Sequence, residues 1–372
     1  MRAYVLSSNL ELETIKHQWG SLYLTSVSEN PFLSWEWTRL WLAVSTDNVK
    51  IRVVVIEEES EIICIAPFSI KDKDLLFLSD SLFSDYMDVL ATKHSAEIFE
   101  LIVETITKDN DWNRADLLTI PGSSKFIEHY QRTLSEKTLY SSIEVCHLNP
   151  YVQIIGDFDD FIKSKSKGFR QDLRTTQNKL DKGADEWEFV EAKTQNEKTV
   201  ILSALIELHL QRQQGKVGTS IFEDIANIDF YKNLIHNQDL PWSLHLSGIR
   251  VANRFVSASI SIIANNIFYY WIPAFDVSLR SGSIGQLHVK YLIDKCFKEN
   301  FDRFDFMGGS EAYKLRWTDQ KYKNYRVLAY RNRRKLYEDR AWAFVRQKLQ
   351  KLKNGSPFWN RVWIQVSKLV GK

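Results

Sequence analysis

Two stretches of this 372-residue chain hold residues whose types and spacing can do chemistry. The first is YYWIPAFDVSLRSGSIGQLHVKYLIDKCF (Tyr269–Phe297). An apolar strand ends near Pro273. A short loop then carries Arg280, Ser281, Gly282, Ser283, Ile284 and Gly285, and an amphipathic helix begins near Gln286. Glycines just ahead of a helix let backbone N–H groups approach a ligand closely. The helix N-terminus adds unpaired donors and the positive end of a dipole, and Arg280 adds a full charge. That chemistry is anion binding, of a phosphate or a pyrophosphate. Neither GxxxxGK[ST] nor GxGxxG is present, so the loop is neither a P-loop nor a dinucleotide fingerprint. The second stretch is FDFMGGSEAYKLRW (Phe304–Trp317), where a chain with only 14 glycines places two together. Alternation along a strand puts Asp305 on the face opposite Phe304 and Phe306. Its carboxylate lies either in a cleft with a raised pKa or beside a cation such as Lys314.

The elements that must position these residues form a pattern that occurs twice. IRVVVIEEESEIICIAPFSI (Ile51–Ile70) and LHLSGIRVANRFVSASISIIA (Leu244–Ala264) each read as a β-hairpin, the second turning at Val251–Arg254. Each hairpin is followed by another apolar strand, LLFLS (Leu75–Ser79) or NIFYYWIPAF (Asn266–Phe275). A helical stripe comes next: Ile98, Leu101, Ile102 and Ile106, or Leu287, Tyr291, Leu292 and Cys296. A last strand closes each unit, ADLLTIP (Ala115–Pro121) or RFDFMGG (Arg303–Gly309). The spacing predicts two similar α/β domains, residues 1–150 and 187–330, joined by a basic helix over 151–186 and followed by a tail, 331–372. Within GDFDDFIKSKSKGFRQDLRTTQNKLDKG (Gly156–Gly183), Asp157 can start a helix and Gly183 can stop it. Lys163, Lys167, Arg170 and Arg174 would share one face, either solvated or forming the wall of an anion cleft. The first-half counterpart of the anion loop, DVLATKHSAEIF (Asp88–Phe99), has no glycine, so only the second half is expected to hold an anion.

Composition excludes several classes. The chain is 44% hydrophobic and 26% charged, the balance of an ordinary globular protein. Cys64, Cys146 and Cys296 are far apart, and the histidines show no ligand spacing, so neither a disulfide framework nor a metal site is expected. No signal-like start and no run of 18 apolar residues is present, which is the pattern of a reduced, cytoplasmic protein. Residues 331–372 hold 12 Lys/Arg against 2 Asp/Glu, a net +10, while residues 1–330 hold 37 basic and 45 acidic side chains, a net −8. That acidic body argues against nucleic acid as a partner.

The run YYWIPAFD … SGSIGQLHVKYLIDKC … RFDFMGGSEAYKLRW resembles the signature of the CelD/BcsL-type acetyltransferases of the GNAT superfamily, which are associated with cellulose and exopolysaccharide clusters. SKGFRQDLRTTQNKL resembles their Arg-rich connecting helix. IELHLQRQQGKVG (Ile206–Gly218) resembles a His-x-x-Arg helix, and NPFLSWEWTRLWL (Asn30–Leu42) resembles an aromatic N-terminal helix. The resemblance covers residues 30–330. It implies an α/β fold of tandem GNAT domains with mixed central sheets, as in the Fem transferases that build peptidoglycan bridges. The N-terminal domain would be degenerate, and an acyl-CoA, most simply acetyl-CoA, would lie over Arg280–Gln286. The strand Tyr269–Pro273 would splay from Arg303–Met307 to admit the acyl-pantetheine arm, and Gly308–Gly309 would end the second strand where cofactor and backbone crowd together.

Acyl transfer needs a base for the nucleophile, a donor for the thioester oxygen and an acid for the leaving thiolate. A backbone N–H from Tyr270, Trp271 or Ile272 suits the donor. Tyr313 suits the acid by resemblance, and Asp305 and Glu311 are the candidate bases. Arg170, Arg174, His209, Lys314 and Trp317 are the residues expected to meet the acceptor, a sugar-derived or other polar metabolite of surface-polysaccharide assembly. Two alternatives stay open: a Fem-like transferase using aminoacyl-tRNA, and a non-catalytic module at a membrane surface. In the tail, AWAFVRQKLQKLK (Ala341–Lys353) places Trp342, Val345, Leu349 and Leu352 on one helical face. FWNRVWIQVSKLV places Trp359, Val362, Trp363, Val366 and Val370 on another. Residues 341–372 therefore suit either an anionic membrane surface or a clasp across the domains.

Overall fold

The computed structural model describes residues 1–26, 30–45, 49–79, 83–93, 95–213, 220–279 and 284–353. In the first half, β1 (Arg2–Leu6), α1 (Asn9–Thr14), α2 (Lys16–Thr25) and α3 (Trp35–Val44) precede the hairpin of β2 (Lys50–Glu58) and β3 (Glu61–Lys71). Then come β4 (Asp74–Phe77), the short β5 (Leu90–Ala91), α4 (Ala96–Lys108), β6 (Arg114–Pro121), α5 (Ile127–Lys137) and β7 (Tyr140–Gln153). After the connecting helices α6 (Phe158–Lys163) and α7 (Lys167–Asp181), the second half repeats the order: β8 (Trp187–Glu191), α8 (Gln195–Gln213), α9 (Ile225–His236), β9 (Ser243–Val251), β10 (Arg254–Ala264), β11 (Ile267–Phe275), α10 (Ile284–Lys298) and β12 (Arg303–Asp305). β13 (Lys321–Tyr330) and α11 (Arg333–Lys353) close the described chain.

The repeat extends to the turns. Glu59–Ser60 and Asp72–Lys73 in the first half, and Ala252–Asn253 and Asn265–Asn266 in the second, all have positive φ at both turn residues. Two consecutive residues of this kind match the right-handed twist of the strands they join. A chain poor in glycine meets that demand mostly with Asp, Asn and Ser, whose short polar side chains tolerate the left-handed region better than most.

The two halves form one mixed sheet, ordered β1-β2-β3-β4-β6-β13-β7-β12-β11-β10-β9-β8, with β5 on β3. The centre is an exchange of strands. β7, from the first half, pairs with β12 of the second, and β13, from the second half, pairs with β6 of the first. β7 and β13 pair with each other from Lys321↔Pro150 to Tyr330↔Tyr140. Neither half completes its sheet alone, a tertiary fact that hydrophobic periodicity cannot encode. Below the sheet, the aromatic N-terminal segment joins the halves. Trp37 packs against Phe230, Trp242 and Trp271 at 5.2–5.9 Å between ring centroids. The Trp242 indole donates to Ser34 at 3.2 Å, and the Trp37 indole donates to Ser84 at 3.0 Å.

The connecting segment differs from the single helix expected. Asp157 does cap a helix, accepting from the Asp160 N–H at 2.8 Å, but α6 stops at Lys163. The Ser166 hydroxyl then caps α7. The break puts Lys163 on a different helix from Lys167, Arg170 and Arg174, so the four cations do not share a face. α7 turns Phe169, Leu173 and Thr176 inward.

At the seam lies Asp305, wholly buried. Its carboxylate accepts from the Tyr86 hydroxyl at 2.9 Å, the Tyr322 hydroxyl at 2.6 Å and the Met307 N–H at 2.8 Å, and the Arg303 Nε lies 3.7 Å away. Removing the carboxylate takes the acceptor from the buried Tyr86 hydroxyl and the counter-charge from Arg303. Asp305→Ala is therefore expected to lose about 3 kcal/mol or more in urea unfolding, and Asp305→Asn, which keeps an acceptor oxygen, to lose less. Equal stability of Asp305→Ala and the parent would remove Asp305 from the seam.

Candidate active site

β11 and β12 run parallel and pair at only three positions, Ile267↔Arg303, Phe268↔Phe304 and Tyr269↔Asp305. There β12 ends, while β11 continues on β10 to Phe275. The strands thus part after Tyr269. The register between β10 and β11 also shifts here, from Ile262↔Tyr269 to Ile260↔Ile272, so β11 carries one extra residue. A bulge of this kind takes backbone groups out of the ladder. Tyr270 faces one core with Phe304 and Phe306, whereas the neighbours Trp271 and Ile272 both face the other. The backbone of Tyr270–Ile272, expected to supply a donor, therefore lies at the mouth of an opening between strands.

Ile284 starts α10, so its first-turn N–H groups, including those of Gly285 and Gln286, have no carbonyl partner within that helix. Arg280, Ser281, Gly282 and Ser283 lie outside the described residues. Gly285 is tightly packed, and a Cβ there would sit 3.0 Å from the Phe275 ring. The guanidinium of Arg212, near the end of α8, lies 4.8 Å over the same ring. Arg212 also acts electrostatically on Tyr270 and Tyr313. Of the His-x-x-Arg pair, Arg212 reaches this region. His209 instead contacts the Ser220 hydroxyl at 2.7 Å and packs edge-on against Phe222. Gln286 and Trp317, expected to meet cofactor and acceptor, bind each other: the buried indole donates to the Gln286 side-chain oxygen at 2.6 Å. Trp317 is closed off by Phe161 and Phe169. Arg174 is exposed on α7, and Arg170 is half-buried with its Nε atom lacking a partner.

Beside the opening is a cluster of polar groups that sequence reasoning did not find. Its first member is Asp85, from the loop after β4. A Cβ on Gly308 would lie 3.2 Å from the Asp85 Oδ1 and 3.9 Å from the Asn149 Oδ1, so Gly308 is the floor on which these polar groups rest. Gly309 has φ +98°, the left-handed region that favours glycine. The pair was expected to yield to a cofactor; its described neighbours are Asp85, Asn149 and Glu311. Lys314, buried, donates to the Gly308 carbonyl at 2.7 Å, and its ammonium lies 2.9 Å from the Glu311 carboxylate. Glu311, one of the two expected bases, is half-exposed and neutralised by this contact. Asp305, the other, is sealed in the seam.

Burial pushes the Asp85 carboxyl up to about 6, Lys314 pulls against that, and Asp305 and Glu311 add to it. Asn149 is fully buried with neither amide atom partnered, and the Tyr231 hydroxyl is buried and unpartnered as well. These are the donors and acceptors that a polar substrate would satisfy. Tyr313 packs edge-on against Phe306 at 6.4 Å, and burial, reinforced by Glu311, holds its phenol well above the ordinary range. A phenol so held is protonated at neutral pH, the state an acid requires. One sequence signal could have pointed to this cluster. FSDYMDV (Phe83–Val89) sets two carboxylates inside an aromatic and aliphatic loop.

The first half shows why it has no matching opening. β4 and β6 also part, after Leu75↔Ala115, but the chain folds back between them. The Met87 N–H donates to the Thr119 carbonyl at 3.1 Å, and β5 pairs with β3. The Ser95 hydroxyl caps α4. Among the described residues no group of three or more His, Cys, Asp or Glu is arranged to hold a metal ion, and no helix is long and apolar enough to cross a membrane.

Residues 167–315 match the family model described as an acetyltransferase (GNAT) domain. Among solved structures the chain is similar to FemX, with a TM-score of 0.60 at 11% identity, over 91% of this chain and 99% of that one. It is also similar to the C-terminal domain (DUF2156) of a putative lysylphosphatidylglycerol synthetase from Agrobacterium fabrum, with a TM-score of 0.54 at 10% identity, over 91% and 96% of the two chains. L-PGS from Bacillus licheniformis gives 0.51 at 11% identity, over 82% and 94%. The fold is that of the GNAT acyltransferases. Curated protein sequences give no match. The parted strands β11 and β12 and the N-terminus of α10 lie within the residues that this family model matches.

Two expectations follow. Asp85→Asn should lower turnover by about 10²–10⁴-fold, the usual range for a lost general base. In the parent, kcat/KM should fall as pH drops through about 6, where Asp85 takes up its proton. The folded pKa is raised, so the ionised carboxylate opposes folding at neutral pH. Asp85→Asn should therefore be as stable as the parent at pH 7 or more so. An inactive but destabilised Asp85→Asn would make the residue structural. Tyr313→Phe should lower turnover with little change in donor affinity, and unchanged turnover would remove the phenol from the chemistry.

Proposed function

We propose that this protein is an acyl-CoA-dependent acyltransferase, with acetyl-CoA the simplest donor, acting on an amine or hydroxyl of a small polar acceptor. The observation that carries this reading is the parting of β11 and β12 immediately after Tyr269↔Asp305, with the bulge of β11 at the same point. The gap offers a route for a thioester arm to backbone donors. The α10 N-terminus, with Arg212 beside it, supplies positive potential for the phosphates of a CoA. The thioester of that substrate provides the activated acyl group.

The chain's own residues divide the remaining work. Asp85, ionised above about pH 6, takes the proton of the attacking amine or hydroxyl. Asn149 and Tyr231 offer the hydrogen bonds that hold the acceptor beside it, and the Lys314 ammonium favours the ionised form of Asp85. N–H groups freed by the bulge receive the negative charge that develops on the thioester oxygen. Tyr313 returns a proton to the thiolate. A sugar-derived acceptor in surface-polysaccharide assembly is the narrower reading, and it rests on the resemblance of FDFMGGSEAYKLRW to the CelD/BcsL-type enzymes.

Aminoacyl transfer from tRNA is the competing reading, favoured by the fold shared with FemX and the lysylphosphatidylglycerol synthetases. Against it, residues 1–330 carry a net −8, an unfavourable surface for an RNA. A thermal-shift comparison separates the two. Acetyl-CoA at ~100 times its Kd should stabilise the protein by about 2.7 kcal/mol, and aminoacyl-tRNA should leave it unchanged. Arg212→Ala should weaken acetyl-CoA binding about tenfold without altering the unligated melting temperature. Stabilisation by aminoacyl-tRNA alone would replace the acyl-CoA reading.

A further inference from the structure

We propose that the C-terminal part of α11 docks this protein on an anionic lipid surface. The start of α11 is attached to the body. Leu336 packs with Leu328 and Tyr330, and Asp339 accepts from Arg114 at 2.6 Å and from the Tyr330 hydroxyl at 3.0 Å. The guanidinium of Arg340 lies over the Tyr140 ring, at 4.8 Å. Beyond it the helix continues to Lys353. Within that extension Trp342 is 50% exposed and Val345 is 41% exposed, on the face that also takes positions 349 and 352, both Leu.

Charge selects the occupant of this face. Residues 341–372 contain seven Lys/Arg and no Asp/Glu, together with Trp342, Trp359 and Trp363. In the α11 portion, Arg346, Lys348 and Lys353 fall at positions that flank the apolar stripe on a helical wheel. An apolar stripe edged by cations, with tryptophan among its members, matches the boundary between acyl chains and anionic headgroups. A second copy of the chain is disfavoured, since two such tails would bring like charges together. A clasp across the body would cover Trp342 and Val345, and both are at the surface.

The test is vesicle co-sedimentation of the full chain. At about 0.1 M salt the protein should pellet with vesicles of phosphatidylcholine and phosphatidylglycerol. It should not pellet with phosphatidylcholine alone, and it should be released at about 1 M salt, where charges are screened within about 3 Å. Truncation after Arg340 keeps every docking contact named above, so that variant should melt like the parent and remain in the supernatant. R346E/K348E should weaken vesicle binding at least about tenfold. Four results would overturn the proposal. The full chain could stay in the supernatant with anionic vesicles, or the truncated chain could pellet like the parent. Truncation could lower the melting temperature by several degrees in a protein that binds no vesicles, which is a clasp. A tail-dependent dimer without vesicle binding would assign the face to a second copy.

Discussion

The buried carboxylate of Asp305 is the interaction on which the rest of the structure turns. It collects a phenol from the loop after β4, a phenol from β13, a backbone N–H from its own turn and the charge of Arg303. Desolvation raises its pKa even against these partners. A carboxylate with so little access to water costs free energy unless its partners stay in place, so the network fixes their positions together. Those partners come from both halves of the chain. The same residue is also the last paired position of β12, so the point where the halves are locked is the point where the strands part.

Strand exchange makes the site composite. β7 brings Asn149 from the first half to the edge of β12, and β13 returns Tyr322 to the first half's side of the seam. The loop carrying Asp85 and Tyr86 folds back between β4 and β6, which fills the opening of its own half and puts Asp85 over Gly308 of the other. One loop thus accounts for two features: the first half has no open cleft, and the second half has a carboxylate poised near neutral pH. The proposed base and the buried lysine opposite it are 229 positions apart by their numbers, Asp85 and Lys314. A GNAT half standing alone would not contain both.

Much of the scaffold was legible in the sequence because its physics is local. Hairpin periodicity, apolar helical stripes and Asp or Ser at helix starts act over a few residues. They placed the two hairpins, the strands after them and the helices α4 and α10 within a few residues of where they lie. The break between α6 and α7 was missed because Ser164 and Ser166 interrupt a stretch whose cation spacing also suits one continuous helix. Asp305 could be read as buried among phenylalanines, but its partners could not, since Tyr86 and Tyr322 arrive from distant segments.

Local patterning settles that this is a repeated α/β protein, that its second half has a glycine-bearing loop ahead of a helix, and that Gly308–Gly309 marks a constrained point. These follow from residue type and spacing, which fix backbone freedom, periodicity and charge along the chain. Only the tertiary structure decided which residues meet at that point. Trp317 and Gln286 satisfy each other in the core. Glu311 is held by Lys314, Asp305 is consumed by the seam, and Asp85 takes the position over the glycine floor. The reason is physical: a hydrogen bond or a desolvation penalty depends on distance in space, and strand exchange brings together groups that the sequence keeps far apart.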